Sequence, residues 1–148
     1  TPLETRANVA FFGVFGYELD LTLLTDEEKE KMKEQVTFYK SHRELLLKGN
    51  FYRILSPFEG NEAAWIVVSE DKTEAIAGYY KILNIPNEGW KRLKFVGLDK
   101  NRKYIIGGNS QRYYYGDELM NAGLVLDNKD LCQNGADFSS VVYYIKSL

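Results

Sequence analysis

The chain has 148 residues, 45% hydrophobic and 27% charged, and its 19 basic and 21 acidic side chains are mixed along the sequence to a net charge of -2. This composition suits one folded domain, or one domain with an appendage, and it offers no basic patch for nucleic acid or anionic lipid. A single cysteine, Cys132, leaves no internal disulfide, and no signal peptide or bilayer-length apolar run is read, so the expectation is a cytoplasmic protein without nucleic-acid or membrane partners.

In chain order, residues 1–6 are polar and open without an initiator methionine, which reads as the cut end of a longer chain. Residues 8–12 carry the apolar run VAFF, bounded by Gly13, and such a run reads as a central strand buried on both faces. Thr25 and Glu28 then form a capping box that starts the only long helix. Met32, Val36, Tyr39, Leu46 and Leu47 share one helical face, with Phe38 and Leu45 on its flank and Lys29, Lys33, Lys40 and Lys48 turned outward. Gly49 is expected to end the helix in the left-handed conformation. A strand feeding an amphipathic helix is half of a βαβ unit, and no second such unit follows.

After Gly49 the pattern changes to short strands. They are expected at residues 51–55, 63–69, 74–83, 91–96, 103–106, 111–115 and 141–145, separated by breaks rich in Gly, Asn and Asp. Residues 70–73 read as a hairpin turn, Gly107, Gly108 and Asn109 as another, and residues 116–123 as a helical turn leading into 124–126. Spacing of about ten residues between strands argues an antiparallel β-sandwich, Greek-key-like, with one long N-terminal helix. The fold class is therefore mainly β.

The residues that carry chemistry are few. His42 is the only histidine, which excludes sites needing two imidazoles, and it is expected to be an ordinary polar helix residue. Cys132 has no catalytic signature around it and reads as an incidental thiol. Glu18 and Asp20 lie two apart at the end of an expected strand, where open sheets and barrels place their sites; the competing and preferred reading is a solvated approach to the helix cap. Asp117 and Glu118 read as the opening of a short helical turn. Trp65, Trp90 and the run Tyr113, Tyr114, Tyr115 have rings of the kind that stack on sugars, but strand aromatics mostly pack, so sheet core is the expected use. Alternation sets Tyr113 and Tyr115 on one face and Tyr114 on the other.

The run GVFGYELDLTLLTDEEKEKMKEQVTFYKSHRELLLKGNFYRILSPFEGNEAAWIVVSEDKTEAIAGYY, with the later YYGDELMNAGLVL, resembles the C-terminal part of bacterial α-galactosidases of glycoside hydrolase family 36. The resemblance runs over essentially the whole chain and is weakest at residues 85–90 and 127–136. It implies that residues 1–48 are the last strand and helix of a catalytic (β/α)8 barrel, and residues 49–148 a C-terminal antiparallel β-sandwich. It also implies that the parent is a retaining α-galactosidase that removes terminal α-linked galactose from oligosaccharides, needs no cofactor and is a homo-oligomer. The family's catalytic aspartates belong to earlier barrel strands, so no catalytic, cofactor-binding or metal-binding residue is assigned here. The isolated chain is expected to be inert, and residues 9–17, without barrel neighbours, to be poorly ordered, re-paired or buried between copies. Two other readings stay open: an autonomous carbohydrate-binding module, and an oligomerisation domain.

Overall fold

The computed structural model describes residues 1–107 and 112–148; the turn expected at Gly108 and Asn109 and the strand start expected at Gln111 lie outside the described residues. Its strands are β1 (Asn50–Leu55), β2 (Glu62–Val68), β3 (Glu74–Lys81), β4 (Lys91–Leu93), β5 (Lys103–Ile106), β6 (Tyr113–Tyr115), β7 (Leu124–Leu126) and β8 (Ser139–Ser147). Six of them form one antiparallel sheet in the order β1-β2-β3-β8-β5-β6, while β4 and β7 pair as a separate ribbon. The first three strands make a meander, with Val68 facing Ala75 across its second hairpin. The last strand then inserts between β3 and β5, setting Tyr144 opposite Ile76 and Lys146 opposite Ile105. The two layers of the sandwich are thus unequal.

Alternation along the strands divides the sheet into two buried faces. One face packs Ile66, Ala77, Tyr79 and Ile145 against Leu93 and Phe95 from the ribbon segment and Leu119 from the short helix α3 (Gly116–Asn121). The other face packs Ile76, Val142 and Tyr144 against α1 (Leu3–Ala10) and α2 (Asp26–Lys48).

The strand expected at residues 8–12 is not formed, because Asn8, Val9 and Ala10 are the last turn of α1. Helical spacing sets Leu3, Ala7 and Phe11 on one face, where they are 8%, 3% and 3% exposed. Short apolar runs satisfy either period, and here the polar neighbours decide. Thr5 Oγ1 lies 2.8 Å from Ser140 Oγ, and Asn8 Nδ2 donates to the same hydroxyl at 2.9 Å. Phe11 closes the cluster, with ring centroids 5.0 Å from Phe15 and 4.9 Å from Phe38. Residues 9–17 are expected to be poorly ordered, re-paired or buried between copies; Phe11, Phe12 and Phe15 pack within the chain, while Val14 is 97% exposed.

The start of α2 has both halves of its box: Glu28 N donates to Thr25 Oγ1 at 3.2 Å and Thr25 N to Glu28 Oε2 at 2.9 Å. Caps of this kind contribute ~1 kcal/mol. Its buried stripe is rotated from the expected one: Phe38 and Leu45 join the core, while Leu47 is exposed. The half-buried His42 lies behind this, its ring 4.4 Å from Phe38 and 4.6 Å from Tyr144. Gly49 ends the helix, but in an extended conformation (φ -69, ψ 165) rather than a left-handed one. A Cβ there would stand 2.5 Å from Val67 Cγ1 and 2.7 Å from Leu45 O, so the glycine is required by close approach of α2 to β2.

Candidate functional site

Of the acidic residues singled out above, Asp20, Asp117 and Glu118 are engaged in local structure. Glu18 and Asp20 occupy an exposed irregular segment, not a strand end. Asp20 caps the 3-10 turn Leu21–Leu23, accepting from Thr22 Oγ1 at 2.6 Å and Thr22 N at 2.9 Å. Those bonds, the hydroxyl first, hold its carboxyl below the usual range. Asp117 and Glu118 stand in the first turn of α3, where Asp117 accepts from Glu118 N at 2.8 Å.

The aromatic residues divide. Tyr114 packs on the core, as expected, but Tyr113 and Tyr115 are exposed. Their rings meet edge-on at 6.0 Å, with Lys103 Nζ 4.5 Å from the first centroid and 5.5 Å from the second. That pair already carries a cation. Trp65 packs at 4.4 Å from the Tyr80 ring on the helical face. Trp90, expected in the core, is 92% exposed. Cys132 sits in a polar seam between α1 and β8, its Sγ 3.2 Å from Thr5 Oγ1 and accepting from Ser140 N at 3.3 Å.

The fold also assembles a cluster that sequence reading missed, at the end of β3. Lys81 closes that strand on the same face as Tyr79, yet it is only 2% exposed. The connection to β4 turns at Asn87 (φ 55) and brings Glu88 back, so that Lys81 Nζ lies 2.8 Å from Glu88 Oε2 and donates to Asn128 Oδ1 at 3.1 Å. Lys91 opens β4 and pairs with both Glu88 and Glu62, and Tyr79 donates its hydroxyl to Glu62 Oε1 at 2.5 Å. Burial would push Glu88 up, but the bonds from Lys81 and Lys91 outweigh it and hold its carboxyl low. Burial likewise works against the Lys91 ammonium, and Glu62 with Glu88 reverses the sign and raises it. Lys81, Glu88, Lys91 and Asn128 line a cleft of about 210 Å³ together with Trp90, Leu126, Asp127 and Leu131.

Chemically this is a charge-matched hydrogen-bonding wall, with Glu62 and Glu88 each clamped by a lysine. Among the described residues no cluster of three or more histidine, cysteine, aspartate or glutamate side chains is placed to hold a metal, and no helix is long and apolar enough to cross a membrane. Two signals in the sequence pointed toward the cleft: a lysine ending an otherwise apolar strand, and the three-residue spacing of Glu88 and Lys91.

A mostly antiparallel domain with two helices packed across one sheet face and a charge-clamped cleft on the other defines the class as a helix-backed β-domain. Residues 62–145 match the family described as the glycosyl hydrolase family 36 C-terminal domain, and residues 1–49 match the family described as melibiase. The chain belongs to glycosyl hydrolase family 36. It is 48% identical to alpha-galactosidase AgaA of Geobacillus stearothermophilus over 99% of this chain and 19% of that protein. It is 35% identical to alpha-galactosidase Mel36A of Lactobacillus acidophilus over 100% of this chain and again 19% of the relative. The crystal structure of AgaA superimposes with a TM-score of 0.91 at 47% identity, covering 100% of this chain and 20% of that one. The Lactobacillus brevis α-galactosidase gives 0.92 at 43%, with the same coverage. The chain thus spans about a fifth of the length of the relatives it matches.

Proposed function

We propose that this chain is the C-terminal part of an α-galactosidase, in which residues 1–48 end the catalytic barrel and residues 49–148 form a non-catalytic domain packed on it. The observation that carries the reading is the near-complete match of this chain to one fifth of AgaA at 48% identity. The whole protein then hydrolyses terminal α-D-galactosyl residues of galacto-oligosaccharides by a retaining mechanism with two carboxylates supplied from outside this chain. Residues 1–24 enter the proposal as a helix and an irregular segment, since the barrel strand expected there is helical. Exposed apolar residues in and around α2, among them Val14 at 97%, Leu23 at 81% and Leu47 at 64%, suit a surface that meets the remaining barrel. A cytoplasmic homo-oligomer is part of the same proposal.

The test has two arms. The purified chain is expected to release no nitrophenol from p-nitrophenyl α-galactoside, and measurable turnover would overturn the non-catalytic assignment. Replacing the C-terminal fifth of AgaA by this chain is expected to leave a folded, active hydrolase. A soluble chimera that is folded by circular dichroism yet inactive would count against the domain's place in such an enzyme.

A further inference from the structure

We propose that the cleft at the end of β3 binds a single neutral pyranose, with the Trp90 indole as the stacking surface and the Lys81–Glu88–Lys91 wall as the hydroxyl-binding side. This goes beyond the proposed packing role and does not depend on it. Three features of the cleft lead to this ligand.

The first is Trp90 itself. Its neighbours two before and one after, Glu88 and Lys91, are held in ion pairs, so the backbone carrying the indole is pinned on both sides. The ring is nonetheless 92% exposed and lines the cleft. A large apolar ring held at a cleft mouth with nothing over it is a surface that gains by being covered, and the apolar face of a sugar ring covers it well. Trp65, by contrast, is stacked within the fold.

The second is the charge of the lining. Lys81 and Lys91 line the cleft with Glu88 and Asp127, so two ammonium groups meet two carboxylates, and both lysines are already paired with Glu88. A phosphate or carboxylate ligand would have to break one of these ion pairs to gain a cation. A cationic ligand meets the opposite difficulty, because the Lys81 ammonium, 2% exposed, already stands beside Glu88 and Asn128. A neutral polyol avoids both. Its hydroxyls donate to carboxylate lone pairs and accept from ammonium N–H groups, and both kinds of partner stand side by side on this wall.

The third is size. A cleft of about 210 Å³ is smaller than the ~300 Å³ at which drug-sized sites begin, and it suits one ring rather than an oligosaccharide.

The shared chemistry is that of a pyranose, and the experiment separates a galactoside from another hexoside. The 148-residue chain is titrated with methyl α-galactopyranoside and, separately, with methyl α-glucopyranoside. Tryptophan fluorescence and the amide shifts of residues 88–91 and 128 are followed, with sodium phosphate and choline chloride as controls at matched ionic strength. A saturable response to one or both sugars, half-complete at roughly millimolar concentration, is expected, and the tighter of the two identifies the source. Trp90→Ala removes a solvent-exposed ring, so it is expected to melt with the parent chain while weakening the sugar response by about tenfold or more. No saturable response below ~100 mM, which corresponds to negligible binding free energy, would overturn the proposal. So would a response that survives Trp90→Ala, or one seen only with phosphate or choline. Because no outcome is read from hydrolysis, failure here leaves the α-galactosidase reading intact, and turnover by the chain would leave this proposal intact.

Discussion

The two faces of the six-stranded sheet are buried by different means. Toward the ribbon the core is made by elements that follow one another along the chain: Phe95, Leu98, Tyr104 and Leu119 all lie between β4 and the end of α3 and are no more than 4% exposed. Toward the helices the core is aromatic and is supplied from far off in sequence, with Phe11, Phe15, Phe38 and Tyr39 laid over Ile76, Val142 and Tyr144. The ribbon side is therefore closed by β4, β7, α3 and the connections that run between the strands of the sheet. The helical side is closed by a segment that reaches it through the irregular stretch after α1, and it leaves Val14 and Leu23 in solvent. One face is integral to the domain and the other is a seam.

The largest effect expected from this difference is a contrast between two phenylalanines of nearly equal burial. Phe95 is 1% exposed and Phe11 is 3% exposed, and truncation of either leaves a cavity of the kind that costs ~3–5 kcal/mol when the surroundings cannot relax. Phe95→Ala is expected to lose all of that from global stability in urea. Phe11→Ala is expected to lose only ~1–2 kcal/mol globally, because α1 opens locally before the sheet does. Amide exchange should then quicken over residues 3–12 alone. Equal global losses, with exchange spread evenly over the sheet, would mean that the helical face is no seam.

What sequence reading reached follows the same division. The capping box at Thr25 and Glu28, the β2–β3 hairpin, the helical turn at Gly116 and the strand Lys103–Ile106 were all legible, because each rests on residues adjacent in sequence. The VAFF run was not. Four apolar residues fit a strand or a helix equally, and the groups that choose, Ser140 accepting from Asn8 Nδ2 and the Asn8 carbonyl accepting from the Tyr80 hydroxyl at 2.6 Å, lie 132 and 72 residues away. The rotation of α2, which buries Phe38 and Leu45 in place of Leu47, depends equally on where the sheet meets it. The cleft was hidden for a related reason: Glu62, Lys81, Glu88 and Asn128 come from separate elements, and only the connection turning at Asn87 makes them neighbours.

A glycine gives a second, smaller test of the seam. Gly78 faces Trp65 across the β2–β3 pair, and the Tyr80 ring folds over it, so that a Cβ would stand 2.9 Å from Tyr80 Cε2 and Cζ. That ring contacts Trp65 and anchors α1 through its hydroxyl. Gly78→Ala is expected to force Tyr80 aside at a cost of ~1–3 kcal/mol, typical of overpacking. If the seam is real, the loss appears as weakened protection of α1 with the ribbon-face amides, including Phe95, little changed. Uniform loss of protection in the strands would instead place the damage in the sheet.

The smallest effect concerns acid, and it lies at the opposite edge. Asp71, in the β2–β3 turn, accepts from Thr73 N at 3.0 Å, from Ser69 Oγ at 2.7 Å and from Thr73 Oγ1 at 2.8 Å, with Arg102 nearby. These bonds, the backbone one first, lower its carboxyl from 3.8 to about 2. A depressed folded-state value means that the unfolded chain binds the proton more readily. The stabilisation is therefore complete above the unfolded value of 3.8 and is lost as pH falls toward about 2. Asp71 is fully exposed, so solvent screens the effect and the change in stability is small. Its location is informative, because the turn is tied to the ribbon face by the Tyr104 hydroxyl donating to Lys72 O at 2.8 Å and Arg102 Nη1 donating to Asp71 O at 2.8 Å. Below pH 4 or so, Asp71→Asn is expected to flatten a local pH dependence at residues 69–74 and 102–104 while leaving α1 untouched. A carboxyl that titrates near 4 in the NMR spectrum of the folded chain, or an acid response centred on α1, would remove this turn from the account of how the integral face is held.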